Sequence, residues 1–195
     1  MAGVLLLSAP VVVLGQAWSQ WRGAERDGVS DGAAWPDALD AEAIRQVWQA
    51  DGLGPSYSSP VVNDGVVYTT EGVDSTFESV VAFDQGTGER LWTRTWSVQF
   101  VMPQFMESHG NWPKSTPSVD GDDLLFLGID ERLHCLDAET GEPRWSVDFP
   151  RQFKTPIPEF GSSTSPLISG DSIFVQAAGS LLALDRRTGE VRWRA

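Results

Sequence analysis

Apolar residues recur along the chain in short runs separated by turn-forming residues, and the same order of runs occurs three times. Each unit opens on a small-residue and proline segment, Ser58-Ser59-Pro60, Ser115-Thr116-Pro117 or Thr164-Ser165-Pro166, followed at once by an apolar pair or a Ser-Val pair. A Gly/Asp pair comes next (Asp64-Gly65, Asp120-Gly121, Gly170-Asp171) and leads into Val66-Val67-Tyr68, Leu124–Leu127 or Ile173-Phe174-Val175. Runs rich in β-branched and aromatic residues on either side of such a pair predict a hairpin. A third apolar run (Val80–Phe83, Leu133–Leu136, Leu181–Leu184) and a fourth segment ending in Trp complete the unit. Four antiparallel strands in roughly 50 residues make one β-propeller blade.

Between the third and fourth strands stands a nine-residue pattern, Asp-x-x-Thr-Gly-Glu-x-x-Trp. Asp84, Thr87, Gly88 and Trp92 carry it first, then Asp137, Thr140, Gly141 and Trp145, then Asp185, Thr188, Gly189 and Trp193. A chance match at one position has a probability of roughly one in a million, so three copies are a true internal repeat. The residues explain themselves as a turn. Asp accepts hydrogen bonds from backbone N–H groups two or three positions on, and Gly supplies the positive φ of a tight turn with a bulge. The Trp then falls on the outer strand, where its indole can wedge between neighbouring blades.

These residues resemble the pyrroloquinoline-quinone-like repeat family, whose tryptophan-docking motif is Ala-x-Asp-x-x-Thr-Gly-x-x-x-Trp. Ala82–Trp92 and Ala183–Trp193 fit it in full, and the middle copy has Cys135 in place of Ala. The expected fold is therefore all-β, an incomplete β-propeller of three four-stranded antiparallel blades plus one orphan outer strand. The blades are placed at 57–96, 115–148 and 162–195, with loop insertions at 97–114 and 149–161. Residues 44–56, around Val47-Trp48, look like the outer strand of a closing blade whose inner strands are missing, and 18–43 is an extended segment. Propellers commonly have four to eight blades, so the reading is a piece of a longer propeller, completed by further blades or by self-association.

The opening apolar run to Leu14, followed by Gly15-Gln16-Ala17, has the small residues of a signal-peptidase site, so residues 1–17 read as a secretory signal. No Cys stands near the cleavage point for lipid attachment. The predicted location is periplasmic or cell-surface, with membrane contact at most peripheral.

Composition narrows the chemistry. The chain of 195 residues has nine Trp, nineteen Gly and twelve Pro, which suits many turns and a repeated packing task. A formal charge of -13 excludes a phosphate-tracking surface and so nucleic acid as a partner. The single Cys, Cys135, allows no intrachain disulfide and no thiolate metal cluster, and reads as a small core residue. His134, between Leu133 and Cys135, is expected to be a strand residue facing solvent.

The resemblance implies two kinds of relative. Quinoprotein dehydrogenases hold the quinone on the propeller axis, coordinate Ca²⁺ through Glu, Asn and Asp, and often cap the cofactor with a disulfide of adjacent Cys residues. Other members, the outer-membrane-protein assembly lipoprotein among them, use the repeat as a platform for protein contacts. Cys135 has no neighbour for the cap, and no Glu/Asn/Asp set matches the calcium site. The sequence thus favours a non-catalytic platform without quinone or Ca²⁺, its partner a protein or the missing blades. A fragment of a quinone-dependent dehydrogenase is the alternative. The binding residues are expected in the long insertions, since loops on a rigid scaffold concentrate them. Glu107, His109, Asn111, Trp112, Lys114 and Lys154 are the candidates. Trp112 would be a stacking platform with Lys114 or His109 as polar partner, unless Phe100, Phe105 and Trp112 simply seal the loop over the blade core.

Overall fold

The computed structural model describes residues 17–30, 37–38 and 45–195. The predicted leader, Ala17 apart, and most of 31–44 lie outside the described residues. Twelve strands form three four-stranded sheets. Blade 1 comprises β1 (Val61–Asn63), β2 (Val66–Val73), β3 (Phe77–Asp84) and β4 (Arg90–Ser97). Blade 2 comprises β5 (Ser118–Asp120), β6 (Asp123–Leu127), β7 (Arg132–Asp137) and β8 (Pro143–Asp148). Blade 3 comprises β9 (Leu167–Ser169), β10 (Ser172–Ala177), β11 (Ser180–Asp185) and β12 (Val191–Arg194). Each is an antiparallel meander in chain order, and the short first strands β1, β5 and β9 lie side by side.

The repeated turn is built as its residue types dictate. Asp84 Oδ1 accepts from the amides of Gly86 (3.0 Å) and Thr87 (2.7 Å) and from the Thr87 hydroxyl (2.9 Å). Asp137 and Asp185 repeat the pattern with Thr140 and Thr188. Each Thr hydroxyl in turn accepts from the next Glu amide at 3.2 Å. Arg144 and Arg192, together with these turn bonds, hold the Asp137 and Asp185 carboxyls down to about 2. The ladder slips by one residue at the same place in every blade, after Ala82, Cys135 and Ala183. Those three residues sit directly opposite Trp92, Trp145 and Trp193, so the small residue of the motif is small because an indole crosses beside it.

The indole then leaves its own blade. Trp92 Nε1 donates to Ala138 O (3.2 Å) and Trp145 Nε1 to Arg186 O (3.1 Å), each the residue after the Asp in the next blade's turn. Trp48 does the same to blade 1, donating to Gln85 O at 2.7 Å and stacking on Phe83. The glycine beneath has φ between 70° and 73° at all three turns. A methyl group there would stand 2.6 Å from Trp48 at Gly88, 2.7 Å from Trp92 at Gly141 and 2.5 Å from Trp145 at Gly189. Glycine is therefore required twice over, for its backbone and for the ring lying on it. The orphan outer strand expected around Trp48 meets no partner strand among the described residues. Residues 45–50 make no ladder, having no neighbouring strand to pair with, and what persists of that strand is the indole.

Two apolar clusters fill the seams. Val61, Tyr68, Val80, Leu124 and Phe126 join blades 1 and 2, and Leu125, Leu127, Leu133, Ile173 and Leu182 join blades 2 and 3. At the inner end of each seam, Ser59 N donates to the Thr116 hydroxyl (3.1 Å) and Thr116 N to the Ser165 hydroxyl (3.0 Å). The residue before the repeat proline of blades 2 and 3 thus caps the blade before it. At the end away from the indoles, buried Glu78 accepts from Ile129 N (3.1 Å) and buried Glu131 from Ala178 N (3.1 Å). Both carboxylates stand six residues before the motif Asp. Gly179 holds that position in blade 3.

Candidate functional site

The insertions expected at 97–114 and 149–161 cover the same end of the blades as Glu78 and Glu131. A short 3-10 helix, Gln104–His109, lies in the first and a five-residue helix α1, Phe149–Phe153, in the second. Asp148 caps α1, accepting from Arg151 N at 3.0 Å, and Lys154 closes it in the left-handed conformation. Val98, Phe100 and Met102 turn inward onto Ile129, with Met106 and Ile157 packed against them.

The six candidate residues separate under this geometry. Asn111 ties its loop together and to the β2–β3 turn of blade 1: Oδ1 accepts from Met102 N (2.7 Å), and Nδ2 donates to Phe100 O (3.1 Å) and Ser75 O (3.0 Å). Trp112 is half-buried, its ring on Gly110 and Gly72 and tilted against Tyr57 at 5.5 Å. It supports the loop as packing. Glu107 is exposed on the neighbouring hollow, and Lys154 stands apart at the end of α1. His109 and Lys114 come together on a groove of about 380 Å³, with Tyr57, Met102, Met106 and Phe160. Lys114 Nζ donates to Phe160 O at 2.6 Å. Phe105, 72% exposed, meets Phe160 edge-on beside the groove. The expected seal therefore holds for Phe100 but not for Phe105, which points outward. Met102, Met106 and Phe160 were not singled out by motif, and their signal is the run of Met and Phe in two long insertions.

Burial sets the electrostatics beneath the groove. It pushes the Glu78 carboxyl up to about 8, opposed by the Ile129 amide and assisted by Asp130, and it raises Glu131 too. His134 does not face solvent. It is 9% exposed and lies on the Trp96 ring at 4.1 Å, because β7 is an inner strand of blade 2 covered by β4 of blade 1. Burial, then Arg132, lowers it to about 3, so it is a neutral packing ring. Cys135 is buried as expected, its thiol pushed up to about 12 by burial and Asp123. Among the described residues no group of three His, Cys, Asp or Glu is placed to hold a metal ion.

The sequence profile of the family described as outer membrane protein assembly factor BamB matches residues 37–104 and 76–195. The chain belongs to this family of pyrroloquinoline-quinone-like propeller repeats. Within and around the family, serine/threonine-protein kinase AfsK of Streptomyces griseus is 25% identical over 160 residues, 80% of this chain and 18% of the kinase. Quinoprotein ethanol dehydrogenase of Pseudomonas putida is 30% identical over 147 residues, 70% of this chain and 22% of the enzyme. Outer membrane protein assembly factor BamB of Burkholderia pseudomallei is 28% identical over 156 residues, covering 76% and 37%. The solved quinohemoprotein alcohol dehydrogenase from Comamonas testosteroni superposes with a TM-score of 0.60 at 23% identity, over 92% of this chain and 27% of that one. That likeness establishes the propeller fold. The chain spans well under half the length of each of these proteins.

Proposed function

We propose that this chain is a non-catalytic propeller segment that binds a protein partner outside the cytoplasm through its loop face. The supporting observation is the groove of Tyr57, Met102, Met106 and Phe160, flanked by outward-facing Phe105. Thioethers and aromatic rings make an adaptable apolar surface of the kind used at protein contacts. Lys114 and His109 give it a polar margin. The name of the assembly-factor relative agrees with a partner at an outer membrane, and the sequence of residues 1–17 agrees with export. No helix among the described residues is long and apolar enough to cross a membrane.

The identity with an ethanol dehydrogenase favours a second reading, a segment of a quinone-dependent enzyme. The residues in hand do not fit its cofactors. Ca²⁺ takes several oxygen ligands, carboxylates foremost, and neither the groove nor the axial cleft beside it is lined by any Asp or Glu.

A photo-crosslinking residue at position 105 or 160 in the native host tests the platform. Discrete adducts are expected from both and none from position 91, on the outer strand. Stoichiometric uptake of pyrroloquinoline quinone with Ca²⁺, followed by absorbance and accompanied by dye reduction, would replace this reading with the enzymatic one.

A further inference from the structure

Strands β1, β5 and β9 each pair within their blade on one side only, leaving the other edge toward the propeller axis. The amino-terminal segment takes two of these edges. Trp18 N donates to Val62 O (2.8 Å) and Val62 N to Trp18 O (3.0 Å), while Val119 N donates to Ser19 O (2.8 Å). Val62, Val119 and Ile168 occupy one register position, two residues after the repeat proline and opposite Val67, Leu124 and Ile173. The amide and carbonyl of Ile168 therefore also face the axis, but no described residue pairs with them there.

The cleft beside β9 has about 500 Å³ and runs from Trp21, Arg26, Tyr57 and Lys114 past Leu167 onto the face of blade 3 at Phe174 and Leu181. The chain carries 27 Asp and Glu against 14 Lys and Arg, yet no carboxylate lines this cleft and two cations do. Neither cation forms an ion pair with a described residue. Arg26 lies over the Trp21 ring at 5.6 Å and reaches Gln20 Oε1 at 3.4 Å, and among the described residues Lys114 hydrogen-bonds to the Phe160 carbonyl. Burial without a counter-charge lowers the pKa of both. An unpaired strand edge beside unpaired cations suits an extended chain that brings main-chain partners and carboxylates together.

We propose that the inner edge of β9 takes up an extended acidic segment of a protein partner, added as a strand with its carboxylates against Lys114 and Arg26. The proposal rests on the platform reading and gives it a partner chemistry and a second place of contact.

Titration calorimetry of the whole chain with an acetylated, amidated hexapeptide of alternating Val and Glu tests it. Binding is expected, weakened about tenfold or more when Lys replaces Glu in the peptide or when salt is raised from low to high. N-methylation of alternate peptide amides, which leaves the protein unaltered, is expected to weaken binding at least about tenfold by removing the strand's donors. Lys114→Gln, checked for an unchanged near-UV spectrum, is expected to weaken the Glu peptide and not the Lys peptide. Equal binding of the Lys or the N-methylated peptide would overturn the proposal, as would displacement of the Glu peptide by glutarate at matching concentration. No peptide binding by a protein that still gives adducts at position 105 would overturn it while leaving the platform in place.

Discussion

Trp145 and Trp193 are the same residue of the same motif, and they differ only in what lies above them. The first has the turn of Asp185–Glu190 over its ring, with Gly189 in contact and a hydrogen bond to Arg186 O. The second is 45% exposed and tilted against Phe174 of its own sheet. Removing Trp145 opens a cavity between two sheets, so Trp145→Ala is expected to cost about 3 to 5 kcal/mol. Trp193→Ala should cost less, about 1 to 3 kcal/mol, since nearly half of the indole already stands in water. Urea midpoints of the two variants make the comparison. Glu78 gives a pH signature. Its carboxyl titrates near 8 when folded, above its ordinary value of 4.5. Between those values the folded chain keeps a proton that the unfolded chain releases, so this group's contribution falls as pH rises through that window and levels off above it. Glu78→Gln, which keeps an acceptor for Ile129 N, is expected to flatten that fall and to raise the melting temperature at pH 9 more than at pH 5.

At the scale of the element, a blade is a local object held to its neighbour by distant residues. The turns close on themselves within five positions, and the strand bounds follow from them. The seams do not. Ser59 reaches Thr116 and Thr116 reaches Ser165 across about fifty residues of chain. The small-residue and proline opener was legible in the sequence as a repeated feature, but its task was not, because a hydroxyl shows no preference for a remote amide. Thr116→Val keeps the shape and removes the acceptor from Ser59 N, and Thr116 is itself buried. A loss of about 1 to 2 kcal/mol is expected, the cost of an amide left without a partner. Faster amide exchange at Ser59, with blade 3 amides unchanged, would place the loss at the first seam.

Over the whole molecule, the two ends of the blades serve different purposes. One end carries the compact repeated turns with their Asp and Arg pairs, such as Arg186 with Asp120 and Asp123, both at 2.6 Å. The other carries the insertions, where Val101, Phe105 and Phe160 stand in solvent. Phe105 and Phe160 contribute little to the folded chain, so Phe105→Ser with Phe160→Ser is expected to change stability by no more than about 0.5 kcal/mol each. If the loop face is the platform, the same double variant should abolish adducts formed from a crosslinker at position 106. Intact adducts in that variant would move the contact elsewhere on the surface.

The sequence by itself determined what is local and repeated: four strands per unit, the Asp-centred turn, the glycine under it and the indole that follows. These are decided by bonds spanning two to five residues and by a pattern that three copies make unmistakable. Packing alone settled which turn each indole covers, that Glu78 and Glu131 bridge sheets, that His134 is buried and that Asn111 and Trp112 hold their loop to blade 1. It also decided that Met102, Met106, Lys114 and Phe160 converge and that the axial edge of β9 lies open beside two cations. Such outcomes depend on packing between segments some fifty residues apart, where side chains of the same type have several possible neighbours and the arrangement of the blades selects among them.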